Sequence, residues 1–127
     1  MTDVQGDEVR LTMPANPHLL RVARLTAAGL AGRLGFSFDE IEDVKIAVDE
    51  LCFTLVGSRG RPGTLSLRYL LDTDQLVIEG SGELDGSAAD PVPSELSSQI
   101  LAAVVDEHEL SRDGNGVRFR MVKRRER

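Results

Sequence analysis

Apolar residues recur along the chain at two different periods, and the changes between them mark out the elements. From Glu8 to Pro14, Val9, Leu11 and Met13 alternate with Arg10 and Thr12, which predicts a half-buried strand closed by Pro14. From Asn16 to Leu34 the period lengthens to that of a helix: Leu19, Leu20, Ala23, Ala27, Leu30 and Leu34 share one face, and Arg21, Arg24 and Arg33 lie outside it. Asn16 is a natural N-cap, Pro17 a natural first residue and Gly35 a natural stop. The small residues Ala27, Ala28, Gly29, Ala31 and Gly32 let a neighbour approach this helix closely. Asp39 to Val56 is the stretch around which the rest is organised. Ile41, Val44, Val48, Leu51, Cys52 and Leu55 form a continuous stripe, and Ser37 with Glu40 fits a capping box. Asp39, Glu40, Glu42 and Asp43 crowd the end where the helix dipole favours negative charge. Ile46, Ala47 and Phe53 lie off the stripe, so the helix is expected to pack on a sheet and on another helix.

After a turn-rich loop from Gly57 to Gly63, the alternations Leu65, Leu67, Tyr69 and Leu76, Ile78 predict an antiparallel pair, Thr64 to Leu71 and Gln75 to Glu79, around Asp72-Thr73-Asp74. Gly80 to Pro93 is rich in Gly, Ser, Asp and Pro and reads as a long flexible loop. A third helix is expected from Ser94, its cap, to Val105, with Leu96, Ile100, Leu101, Val104 and Val105 inward. Glu107 to Ser111 reads as a strand and Asp113 to Gly116 as a hairpin turn, with Val117, Phe119 and Met121 alternating in a last strand. This order predicts one α+β domain over residues 1–127, a two-layer sandwich with helices on one face of a mixed, mostly antiparallel sheet. Residues 1–7 are expected to be disordered and 123–127 to form a solvated basic tail.

Composition narrows the classes. With 127 residues, 41% hydrophobic and 28% charged, the chain is long enough to bury a real core. No apolar run is long enough to span a bilayer and the first residues are acidic and polar, so a cytoplasmic protein is expected. A net charge of −6 argues against a nucleic-acid binder and suits a partner with basic helices. The single Cys52 reads as a core residue, and His18 and His108 fall on separate elements, which gives no basis for a metal site. The Gly80-Ser81-Gly82 run follows a strand, as phosphate loops do, but carries no complete phosphate-binding pattern. Glu50, set among apolar neighbours, belongs either to the edge of a solvated face or to a pocket.

The runs PANPHLLRVARLTAAGLAGRLGF (Pro14 to Phe36) and DEIEDVKIAVDELC (Asp39 to Cys52) resemble the anti-sigma factor serine-protein kinases of bacterial stress response and sporulation, members of the GHKL (Bergerat-fold, histidine kinase-like) ATPase superfamily. The resemblance is strong over the first half and continues weakly to the end, element order included. It implies the Bergerat sandwich. It aligns Glu50 with the family's general base, Lys45 with a family lysine, and Thr54 with the asparagine that holds Mg²⁺ against ATP. Gly80 stands where the family has an aspartate that reads adenine, with Gly82 beside it in the same box, and residues 94–98 carry no glycine where the last phosphate-wrapping box belongs. The loop from 80 to 93 leaves little room for an ATP lid. The resemblance therefore implies a degenerate site with no cofactor, ATP and Mg²⁺ entering only if that site still binds. It makes Arg24 the contact to a sigma factor and to a STAS-domain anti-anti-sigma factor, and implies a homodimer. Three readings follow: a non-catalytic anti-sigma factor, an active serine kinase using Glu50, and a degenerate ATPase-fold module that senses a ligand.

Overall fold

The computed structural model describes residues 7–57, 62–84, 94–113 and 116–126. The expectations for residues 1–6, for the centres of the loops at 58–61 and 85–93, and for the turn at 114–115 lie outside them. The described chain runs β1 (Glu8–Pro14), a 3-10 turn (Pro17–Leu19), α1 (Leu20–Arg33), α2 (Phe38–Val56), β2 (Gly63–Leu71), β3 (Gln75–Leu84), α3 (Glu95–Val104), β4 (Glu107–Asp113) and β5 (Gly116–Arg124). The strands form one sheet in the order β1-β2-β3-β5-β4. Each neighbouring pair is antiparallel, so the sheet is not mixed among the described residues. Alternate residues of a strand face opposite sides. Leu65, Leu67, Tyr69, Leu76, Ile78, Val117, Phe119 and Met121 are buried toward the helices. The other face carries an ion-pair ladder in which Arg68 contacts Glu8 at 3.0 Å and Glu79 at 3.1 Å. Hydrogen bonding from Arg68, then from Arg10, holds the Glu8 carboxyl down to about 2.

The helix layer follows from its caps and its small residues. Ser37 Oγ accepts from the Glu40 amide at 3.1 Å and Glu40 Oε1 accepts from the Ser37 amide at 2.7 Å, completing the expected capping box. Asn16 caps the 3-10 turn, its Oδ1 accepting from the His18 amide at 2.9 Å, and the α-helix proper begins only at Leu20. Ala23, Ala27 and Ala31 are fully buried, so α1 sits close against its neighbours. The Tyr69 hydroxyl donates to the Ala23 carbonyl at 2.9 Å, fastening α1 to β2, and burial raises its pKa. α2 packs on α1, α3 and β5, the central position that its sequence implies. Its outer edge nevertheless stays open, with Ile46 and Phe53 exposed.

Three expectations are corrected. β3 continues to Leu84, five residues into the segment read as loop, because Gly80 and Gly82 pair with Phe119 and Val117 on one side and with Leu67 and Leu65 on the other. Leu96 is 66% exposed rather than inward. The inward stripe of α3 runs through Leu101 with the half-buried Ile100 and Val104, and helical spacing extends it back to Ser97. As far as Glu126, the basic end is tied to the domain rather than a free solvated tail. Lys123 Nζ donates to the Val104 carbonyl at 2.8 Å and to Asp43 at 3.2 Å. Arg125 donates to the Leu34 carbonyl at 3.0 Å, a cation at the C-terminal end of α1. The Glu126 amide donates to Glu40 Oε2 at 2.6 Å.

Candidate functional site

α2 presents Glu50 at the junction of all three helices. One carboxylate oxygen, Oε2, accepts from the Ser97 hydroxyl of α3 at 2.7 Å. Ser97 is itself held by the α3 cap: its amide donates to Ser94 Oγ at 3.0 Å, and the Ser94 hydroxyl donates to Ser97 Oγ at 3.1 Å. On its other side Glu50 lines an open cavity of about 390 Å³ with Pro17, His18, Arg21, Arg24 and Asp49. Glu50 is half-buried, between its bond to α3 and this open cavity.

Arg24 and Glu50 therefore meet at one cavity although they lie on different helices. Arg24 Nη1 pairs with Asp49 Oδ2 at 3.1 Å. Leu25 and Val22 are exposed elsewhere around the same helix, at 58% and 41%. Lys45 turns away to Glu42 at 2.9 Å. The Thr54 hydroxyl donates to the Glu50 carbonyl at 2.8 Å, a bond within the helix that directs its proton inward.

Gly80 and Gly82 stand apart from this cavity, on β3, facing the helix layer. A Cβ built on Gly80 would lie 2.3 Å from Phe119 Cε2 and 2.6 Å from Cζ. Phe119 is 2% exposed, so its ring fills the space that a side chain at position 80 needs. A carboxylate at 80 does not fit beside that ring. Elsewhere in the set, Glu50 Oε2 accepts from Ser97 and the Thr54 hydroxyl is bonded within its own helix. Among the described residues no group of three metal-ligating acids, histidines or cysteines occurs.

Ser97, Phe119 and Asp49 were not singled out from the sequence. A signal existed for the first, because Ser97 stands at helical spacing before Leu101 and Val104. For Phe119 the signal is the cross-strand pairing of a large residue with a glycine, visible only once the register of β3 and β5 is known. Cys52 is the core residue expected: burial, and secondarily the charge of Asp49, push its thiol up to about 12.

An open antiparallel sheet with three helices on one face, and an acid on the central helix, is a GHKL-like ATPase sandwich. No family model matches the chain. It is 33% identical over 115 residues to the serine-protein kinase RsbW of Bacillus subtilis, covering 88% of this chain and 71% of that protein. It is 32% identical over 137 residues to the serine-protein kinase RsbW of Halalkalibacterium halodurans, covering 94% and 84%. Over a shorter stretch of 74 residues it is 42% identical to RsbW of Bacillus cereus, covering 57% of this chain and 46% of the relative. The chain belongs to the RsbW serine-protein kinase family.

Proposed function

We propose that the chain is an anti-sigma factor that works by sequestration and not by phosphoryl transfer. The outer face of α1 and α2, centred on Arg24, covers a surface of an alternative, stress- or sporulation-type sigma factor. A STAS-domain anti-anti-sigma factor releases it by binding an overlapping surface. Such a switch needs only differential affinity or an excess of competitor, at about 1.4 kcal/mol for each tenfold. The protein acts in the cytoplasm as a homodimer, without ATP or Mg²⁺. No described helix is long and apolar enough to cross a membrane.

The observation that carries this reading is the Phe119 ring at Gly80. The position from which an adenine would be read holds no side chain and has no space for one. The proposed docking face keeps Arg24, followed on α1 by the exposed Leu25. A second reading, an active kinase for the antagonist protein, is favoured by the relatives being named serine-protein kinases and by Glu50 lining the same cavity as Arg24.

Calorimetric titration with Mg-ATP, followed by a phosphoryl-transfer assay on a STAS-domain partner, separates the two. The proposal expects no heat of binding at millimolar nucleotide and no transfer. Micromolar binding with transfer overturns it in favour of the kinase. Affinity capture from the native host is expected to recover a sigma factor, and its loss with Arg24→Ala tests the assigned face.

A further inference from the structure

The face of the sheet turned away from the helices carries a separate cavity, of about 560 Å³. Its shape follows from the strand register. One row across the sheet reads Thr12, Ser66, Ser81, Arg118 and Ser111, and all but Arg118 are short hydroxyl side chains. The neighbouring row, two residues along each strand, reads Arg10, Arg68, Glu79, Arg120 and Glu109. The short residues make a floor and the long ones a wall, on strands about 4.8 Å apart. The hydroxyls of Thr12 and Ser66 lie 3.4 Å from each other on that floor. The lining holds four arginines against two glutamates, in a chain whose net charge is −6. Arg120 meets Glu79 and Glu107 at 3.7 Å each, ion pairs longer than a hydrogen bond. A guanidinium has more N–H donors than such contacts use, so Arg120 keeps donors for a guest.

We propose that this trough binds the phosphate group of a small soluble phosphomonoester. The hydroxyls of Ser66 and Ser81, on adjacent strands, donate from the floor, and the guanidinium groups of Arg118 and Arg120 donate from beside it. Glu79 and Glu109, on either side of Arg120 in the wall, repel an extended polyanion and leave room for one oxyanion. The volume is that of a small-molecule site, with space for the organic part of the ester. The trough and the Arg24 cavity lie on opposite sides of the sheet, so this inference is independent of the sequestration reading.

The test is titration of the full chain with inorganic phosphate and with glycerol phosphate, read by amide resonances, with sodium chloride at matched ionic strength as the control. Both probes are expected to give saturable shifts at Ser66, Ser81, Arg118 and Arg120, while the amides around Glu50 stay unmoved. Arg120→Gln should weaken binding by about tenfold, the loss of one charge-assisted bond, whereas Arg33→Gln, the same change of charge at the exposed end of α1, should alter it by less than about twofold. Glu109→Gln removes a repelling carboxylate and should tighten binding by about twofold or more. Absence of saturation with either probe overturns the site, and so does equal weakening by Arg120→Gln and Arg33→Gln, since the protein's overall charge would then be the cause. Binding of phosphate without binding of glycerol phosphate overturns the assignment to a phosphomonoester. Each of these failures leaves the sequestration reading standing, which the nucleotide titration decides separately.

Discussion

Replacing Gly80 by alanine adds one methyl group, and its sign on stability is decided by Phe119. In a strand interior, glycine costs about 0.5–1 kcal/mol relative to alanine, so propensity alone predicts stabilisation. The geometry predicts the opposite. The new Cβ would lie 2.3, 2.6 and 3.0 Å from three ring atoms of Phe119. Carbon atoms rest at about 3.5–4.0 Å, and the buried ring has no solvent to swing into. Overpacking by a methylene costs about 1–3 kcal/mol, and a deficit of this size at three atoms places Gly80→Ala near 3 kcal/mol. Phe119→Val should itself cost about 2–3 kcal/mol through lost contact and cavity. Its effect on Gly80→Ala is the informative quantity: with the ring gone, the alanine should cost nothing or stabilise by about 0.5 kcal/mol. Urea unfolding of the four proteins gives the coupling, provided the slopes agree. Additivity within about 0.5 kcal/mol, or a Gly80→Ala protein as stable as the parent, would refute the claim that the ring occupies this space.

Four further outcomes follow from the same geometry. Glu40 is buried, and burial alone would raise its pKa, but hydrogen bonds from the Ser37 and Glu126 amides outweigh that and lower it. Its contribution is therefore complete above the unfolded value of about 4.3 and disappears as pH falls through the lower folded value. Glu40→Ala should cost about 2 kcal/mol at pH 7 by urea unfolding, with the difference shrinking below pH 4. Tyr69→Phe removes the bond to the Ala23 carbonyl and should cost about 1 kcal/mol in the same assay. Arg24→Ala breaks a pair whose side chains are both about one-third exposed or more, so stability should change by less than about 1 kcal/mol while partner capture is lost. Cys52, fully buried with its thiol pushed up to about 12, should resist thiol reagents at pH 8 until the protein unfolds.

Much of the fold was legible because local signals and the apolar pattern agreed. The Ser37-Glu40 box, the alternations in β2 and β5, and the small residues of α1 each have one structural meaning. The sequence misled where a residue's role depends on its opposite number. Gly80 and Gly82 look like loop residues until Phe119 and Val117 are placed across from them, and the strand then continues. Arg125 looks solvated until the end of α1 arrives beside it, and Leu96 looks buried until its helix is oriented by Leu101. In the candidate site, Glu50 stood out as an acid among apolar neighbours, its role and that of Arg24 came from resemblance, and their meeting at one cavity is a tertiary fact. Ser97 and Phe119 act through spatial neighbours 47 and 39 residues away in sequence, a separation that no local window spans.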